Sequence, residues 1–140
     1  MLFVGTSIIH PSTEGVFLLC NILDLLIYSF QYKFNREVYK TELNKILYFQ
    51  SNKRITYIIS ELGTMQCYEK LNDIENFLKE KNILFYRIHQ SFLVNPSYVK
   101  KYRYDMIELL DGTEFTISEK RRKSVNEVFC KIKGEELIEF

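Results

Sequence analysis

Phe85-Tyr86-Arg87-Ile88-His89-Gln90-Ser91-Phe92-Leu93-Val94-Asn95 is the stretch around which the chain is ordered. It sets a polar cluster, Arg-x-His-Gln-Ser, between two apolar runs. Apolar flanks clamp the backbone into a core and leave the polar groups on a rigid edge, as a recognition site requires. Strand-like residues dominate the stretch.

Composition agrees with a sheet. The chain has 140 residues, 46% of them apolar, which suits a single packed domain. Its 10 Tyr and 11 Phe tilt the expectation toward strands. Only two prolines and five glycines are present, which excludes low-complexity linkers. The net charge of +1 is less informative than its distribution. Cations gather at Lys100-Lys101, Arg103 and Lys120-Arg121-Arg122-Lys123, and residues 1–32 contain none. Cys20, Cys67 and Cys130 are far apart and odd in number, which points to reduced, buried or half-buried thiols and not to a disulfide frame or zinc site.

Before the sheet lies an apolar segment, residues 1–28. Within it Val16–Tyr28 is too short for a comfortable membrane span, which takes roughly 20 apolar residues, and Asn21 and Asp24 interrupt it. No basic residues precede it, unlike a signal peptide. Phe17, Leu18, Asn21, Ile22 and Leu25 fall at helical spacing, so an amphipathic helix is expected, packed on the sheet or on a second copy. Membrane contact is disfavoured, because surface-bound helices are rich in Lys and Arg.

Residues 29–140 read as the folded domain. Phe30, Tyr32 and Phe34 alternate with polar residues, and Asn35-Arg36 turns the chain back through Glu37–Lys40. Thr41–Lys45 reads as a short helical turn. Ile46–Ser51 is a continuous apolar run suited to a central strand. The polar turn Asn52-Lys53-Arg54 leads to Ile55–Ser60, and Gly63 permits another reversal. A helix is expected over about 72–80, with Asn72 as N-cap and Glu75 closing a capping box. Ile74, Phe77 and Leu78 form its apolar stripe, and Glu75, Asn76, Lys79 and Glu80 its wet face. Asp111-Gly112 predicts a type I′ hairpin. A second helix is expected over about 119–132, capped by Ser118, with Val125, Val128, Phe129 and Ile132 inward. Lys120 to Lys123 crowd its first turns against the positive end of the helix dipole, which marks a candidate phosphate site.

These pieces, in this order, resemble a LytTR-type DNA-binding domain, the output module of many bacterial response regulators. The resemblance spans residues from about 34 to 130. It rests on Ile46–Ser51 with its basic turn, on the Arg87-x-His89-x-Ser91-x-x-Val94-Asn95 block, on the Asp111-Gly112 hairpin, and on Thr116-Ile117-Ser118 leading into a basic helix. It implies a mostly β (α+β) antiparallel fold that meets duplex DNA through loops. Three segments would make contact: the Asn52-Lys53-Arg54 turn with Ile55-Thr56, the central block, and Ser118 to Lys123. Gln90 and Lys120 correspond to base-reaching residues of relatives. At the first loop Asn52, Arg54 and Thr56 each remain candidates for the base-facing place. The receiver domain usual in relatives is replaced by the apolar segment, so the phosphorylation switch is not expected within this chain.

The chemistry fits those places. The Gln90 amide donates and accepts, which pairs it with adenine N7 and N6. Lys120 or Arg121 can reach guanine O6 and N7. Lys53, Arg54, Arg122 and Lys123 suit phosphates, which position without reading sequence. Arg87 and His89, two apart, would point the same way in a strand and anchor the backbone with Ser91. Asn95 before Pro96 reads as a turn residue that ties down backbone N–H groups. No nucleotide loop, metal-ligand set or nucleophile–base pair is visible, so neither catalytic residues nor cofactors are expected. The reading is a cytoplasmic transcription regulator on paired DNA sites, as a homodimer or two adjacent monomers through Val16–Ile27. Two alternatives stand beside it: a module that pairs with and antagonises a related regulator, and a membrane-tethered regulator.

Overall fold

The computed structural model describes residues 3–4 and 28–136. The amphipathic helix and dimer surface expected within Val16–Ile27, and Cys20, lie outside the described residues. Three antiparallel sheets carry the fold. The first joins β1 (Phe3–Val4), β2 (Tyr28–Phe34) and β3 (Glu37–Glu42). A 3-10 turn, Leu43–Lys45, leads into β4 (Ile46–Asn52). Then come β5 (Ile55–Ser60), β6 (Gly63–Cys67), α1 (Leu71–Glu80), β7 (Tyr86–His89) and β8 (Phe92–Val94). After a short 3-10 turn, β9 (Val99–Arg103), β10 (Met106–Leu109) and β11 (Glu114–Thr116) form the third sheet. A 3-10 turn, Glu119–Arg121, precedes α2 (Arg122–Glu136).

The middle sheet runs β6-β5-β4-β8-β7, which puts the apolar Ile46–Ser51 run in its centre. Its two faces belong to different cores. Phe49, Ile58, Leu93 and Phe85 pack with Phe30, Leu43 and the Leu71, Ile74 and Leu78 face of α1. Their sequence neighbours Tyr48, Val94 and Tyr86 pack with Ile107, Leu109, Ile117 and the Val125 face of α2. Strand alternation thus feeds two hydrophobic layers from one sheet. Asn95 closes β8 as a fully buried structural residue, donating to the Ile46 carbonyl at 2.8 Å and accepting from the Ser97 N–H at 3.0 Å.

Several local expectations shift. α1 starts at Leu71, with Lys70 as N-cap and no side-chain cap. Burial of Leu71 takes the N-cap two residues further back, from Asn72 to Lys70, so Asn72 sits inside the first turn. α2 proper begins only at Arg122 and runs beyond 132 to Glu136. At Asp111-Gly112 only Gly112 has positive φ (93°), and the Gly112 N–H bonds the Leu109 carbonyl at 3.0 Å. The loop is therefore Leu110-Asp111-Gly112, a three-residue hairpin closed by its glycine. Two consecutive positive φ values occur instead at Asn35 (51°) and Arg36 (68°), in the two-residue turn between β2 and β3. Cys67 is buried, and burial pushes its thiol up to about 11, whereas Cys130 is exposed. Among the described residues no helix is long and apolar enough to cross a membrane.

Candidate nucleic-acid interface

The central stretch forms β7, a two-residue turn at Gln90-Ser91, and β8. Arg87 holds that turn from beneath. Its side chain is 8% exposed, and Nε donates to the His89 carbonyl at 2.9 Å. One terminal nitrogen donates to the Gln90 carbonyl at 2.7 Å. The other donates to Asn72 Oδ1 at 2.9 Å and Glu75 Oε1 at 2.7 Å on α1. Burial lowers the Arg87 pKa, and the Glu75 carboxylate acts against that shift. The expected wet face of α1 is thus broken at Glu75, which is half-buried against Arg87. A guanidinium has five donors in a fixed fork, so one side chain can fix two successive carbonyls and a helix together.

A bulge between Arg87 and His89 interrupts the two-residue alternation. The two side chains accordingly have different surroundings. His89 is exposed, its ring 5.9 Å from that of Phe92, and its Nδ1 accepts from the Ser91 N–H at 3.1 Å. Gln90 is exposed at the tip, with no partner for its side-chain amide among the described residues.

Both other expected segments flank this turn. On the β4 side, the Ser51 N–H bonds the Ser91 carbonyl at 2.8 Å, which brings the β4–β5 turn alongside. Asn52, Lys53 and Arg54 are exposed there. Thr56 is not: it is 3% exposed, and its hydroxyl donates to the Glu69 carbonyl at 2.7 Å. A depression of about 340 Å³ opens between this turn and the start of α1, lined by Ser51, Lys53, Arg54, Thr56, Tyr68, Lys70 and Leu71. On the β7 side, the Ser118 N–H bonds the Ile88 carbonyl at 2.9 Å and brings the 3-10 turn into place. Lys120 and Lys123 are exposed. Arg122 is half-buried, and its Nε donates to the Ile117 carbonyl at 3.0 Å. Ser118 Oγ and Arg121 Nε are buried without a hydrogen-bond partner among the described residues.

The model of the LytTr DNA-binding domain matches residues 36–129, more than half of the chain. The chain belongs to the LytTR family. Its fold is similar to the LytTr DNA-binding domain of a Bacillus cereus protein described as a methyl-accepting/DNA response regulator. That likeness has a TM-score of 0.61 and 20% identity, and covers 72% of this chain and 95% of the other. The transcriptional regulatory protein NatR of Bacillus subtilis (strain 168) is 33% identical over 66 residues. That stretch is 47% of this chain and 28% of NatR, so the chain spans well under half of the curated relative's length.

Within this LytTR domain, the three expected segments are neighbours in space, with the Gln90 turn between the other two. Asn52, Lys53, Arg54, His89, Gln90, Lys120 and Lys123 present exposed side chains. Arg87 and Thr56 face inward and act on backbone groups. Asn72 and Glu75 escaped the sequence reading as partners of this site. Their spacing was spent on a capping box, and nothing local signals a pairing across 12 and 15 residues. Among the described residues no cluster of three or more His, Cys, Asp or Glu could hold a metal ion.

Proposed function

We propose that this chain is a transcription regulator that binds duplex DNA sequence-specifically through its LytTR domain. The carrying observation is the convergence of three segments on one edge, with Gln90 at the centre and Lys53-Arg54 and Lys120 on either side. Gln90 reads adenine through its amide, and Lys120 reads guanine. At the first loop the burial of Thr56 and the place of Arg54 beside the depression leave Asn52 for the base-facing position. Lys53, Arg54, Arg121, Arg122 and Lys123 take phosphates, and Arg87, His89, Ser91 and Ser118 hold the backbone that presents the readers. The protein acts in the cytoplasm on paired sites, as a dimer or two adjacent monomers.

Selection of bound sequences from a random duplex pool tests the reading. It should return a motif with two copies at a fixed spacing. On that motif, Gln90→Ala should weaken binding by roughly 1–3 kcal/mol and relax a single base position. Recovery of no motif, or a variant that binds every duplex like the parent, would sink the assignment.

A further inference from the structure

We propose that Lys53, Arg54 and Lys70 form a seat for one backbone phosphate of duplex DNA, beside the turn that carries Gln90. The inference rests on the DNA-binding reading above. It adds a fourth element to the interface, the start of α1, which none of the three expected segments includes.

The three cations surround the depression of about 340 Å³, and no acidic side chain lines it. All three are exposed, and none has an ion pair among the described residues. Like charges gathered around one hollow raise its positive potential, and a concave wall focuses that field on whatever enters. An anion among them would replace mutual repulsion with three attractive pairs. Arg54 offers a planar fork that matches a phosphate, and the two lysines offer point charges. Lys70 is the N-cap of α1 and uses no side-chain cap, so the unpaired N–H groups of the first helical turn add to the same field.

Position argues for DNA as the source of the phosphate. Ser51 lines the hollow, and its N–H is bonded to the Ser91 carbonyl, next to Gln90. On the other side, Asn72 stands two residues after Lys70 and accepts from Arg87, whose other terminal nitrogen holds the Gln90 carbonyl. The Thr56 hydroxyl pins the Glu69 carbonyl and thereby fixes the approach to Lys70. Seat and reader are thus joined by hydrogen bonds on both sides, so a strand read by Gln90 passes the hollow with its backbone.

The test uses the full chain and the duplex recovered by selection. Lys70→Ala removes an exposed side chain, and Tm should not move. Affinity should fall roughly fivefold at 0.15 M salt on every duplex alike, and the slope of log K against log salt should drop by about one. The preference at the Gln90 base should stay at its parental ratio. A series of duplexes, each with one neutral methylphosphonate, should reveal one position that weakens the parent but not Lys70→Ala. Unchanged affinity and slope in Lys70→Ala, with Gln90→Ala still impaired, would overturn the seat and leave the DNA reading standing. If the variant instead loses binding of inorganic phosphate, followed by NMR, while DNA binding is untouched, the hollow serves a free anion and the proposal is overturned. Failure of the parent to bind any duplex would remove the underlying reading itself.

Discussion

The Gln90 turn and the start of α2 lie side by side on one edge, yet they are held in opposite ways. Under the turn, Arg87 spends four hydrogen bonds on two carbonyls, an amide and a carboxylate, and His89 Nδ1 takes the Ser91 N–H. At the start of α2, Ser118 Oγ and Arg121 Nε are buried and have no hydrogen-bond partner among the described residues. A buried polar atom without a protein partner adds nothing to the hold on the backbone around it. One half of the edge is therefore set before any partner arrives. The other is held by the Ser118 N–H on the Ile88 carbonyl and by Arg122 Nε on the Ile117 carbonyl, with no buried clamp like that of Arg87. On the proposed reading, base recognition needs fixed geometry, and the clamped turn offers it. On the same reading, phosphate contact tolerates adjustment, and Arg122 and Lys123 at the helix start suit that task.

The contrast can be broken first at Arg87. Arg87→Met keeps volume but leaves two carbonyls and the Glu75 carboxylate without their donor. Stability to urea should fall by roughly 2–4 kcal/mol, and the preference at the Gln90 base should shrink with it. An unchanged midpoint would show that the turn holds itself. Next in size, Glu75→Gln preserves an acceptor for Arg87 and removes only its charge. We expect a loss of roughly 1 kcal/mol in the same measurement. A loss equal to that of Arg87→Met would place the whole clamp in the ion pair. The smallest effect should come from Ser118→Ala, which deletes a hydroxyl that has no partner among the described residues. Its Tm should correspond to a change within about 0.5 kcal/mol of the parent. Destabilisation as large as at Arg87 would erase the distinction between the two halves.

Much of this architecture was readable because it is local. The alternation at Phe30, Tyr32 and Phe34, the central run at Ile46–Ser51 and the Asn35-Arg36 turn each declare themselves within a few residues. So did the order of the motifs, which carried the family and the neighbourhood of the three segments. The misreadings share a cause in tertiary packing. Asn72 has the residue type of an N-cap, but the core takes Leu71 and the helix starts earlier. Glu75 has the look of a wet-face residue, but a buried guanidinium from a later strand claims it. Thr56 sits in a basic loop segment, yet the strand turns its hydroxyl to Glu69. Asp111-Gly112 signals a hairpin correctly, but Leu110 joins the loop and only Gly112 adopts the left-handed region.

One residue of the first turn sets backbone comfort against charge. Lys53 lies at φ 59°, a left-handed conformation that L side chains other than Asn and Asp rarely take. Holding it there costs on the order of 1–2 kcal/mol. Glycine would relax the turn without strain but would empty the cation from the edge. The turn thus keeps a permanent internal tension at the tip, and on the proposed reading any version of this domain tuned for thermal endurance at position 53 would be tuned away from nucleic acid.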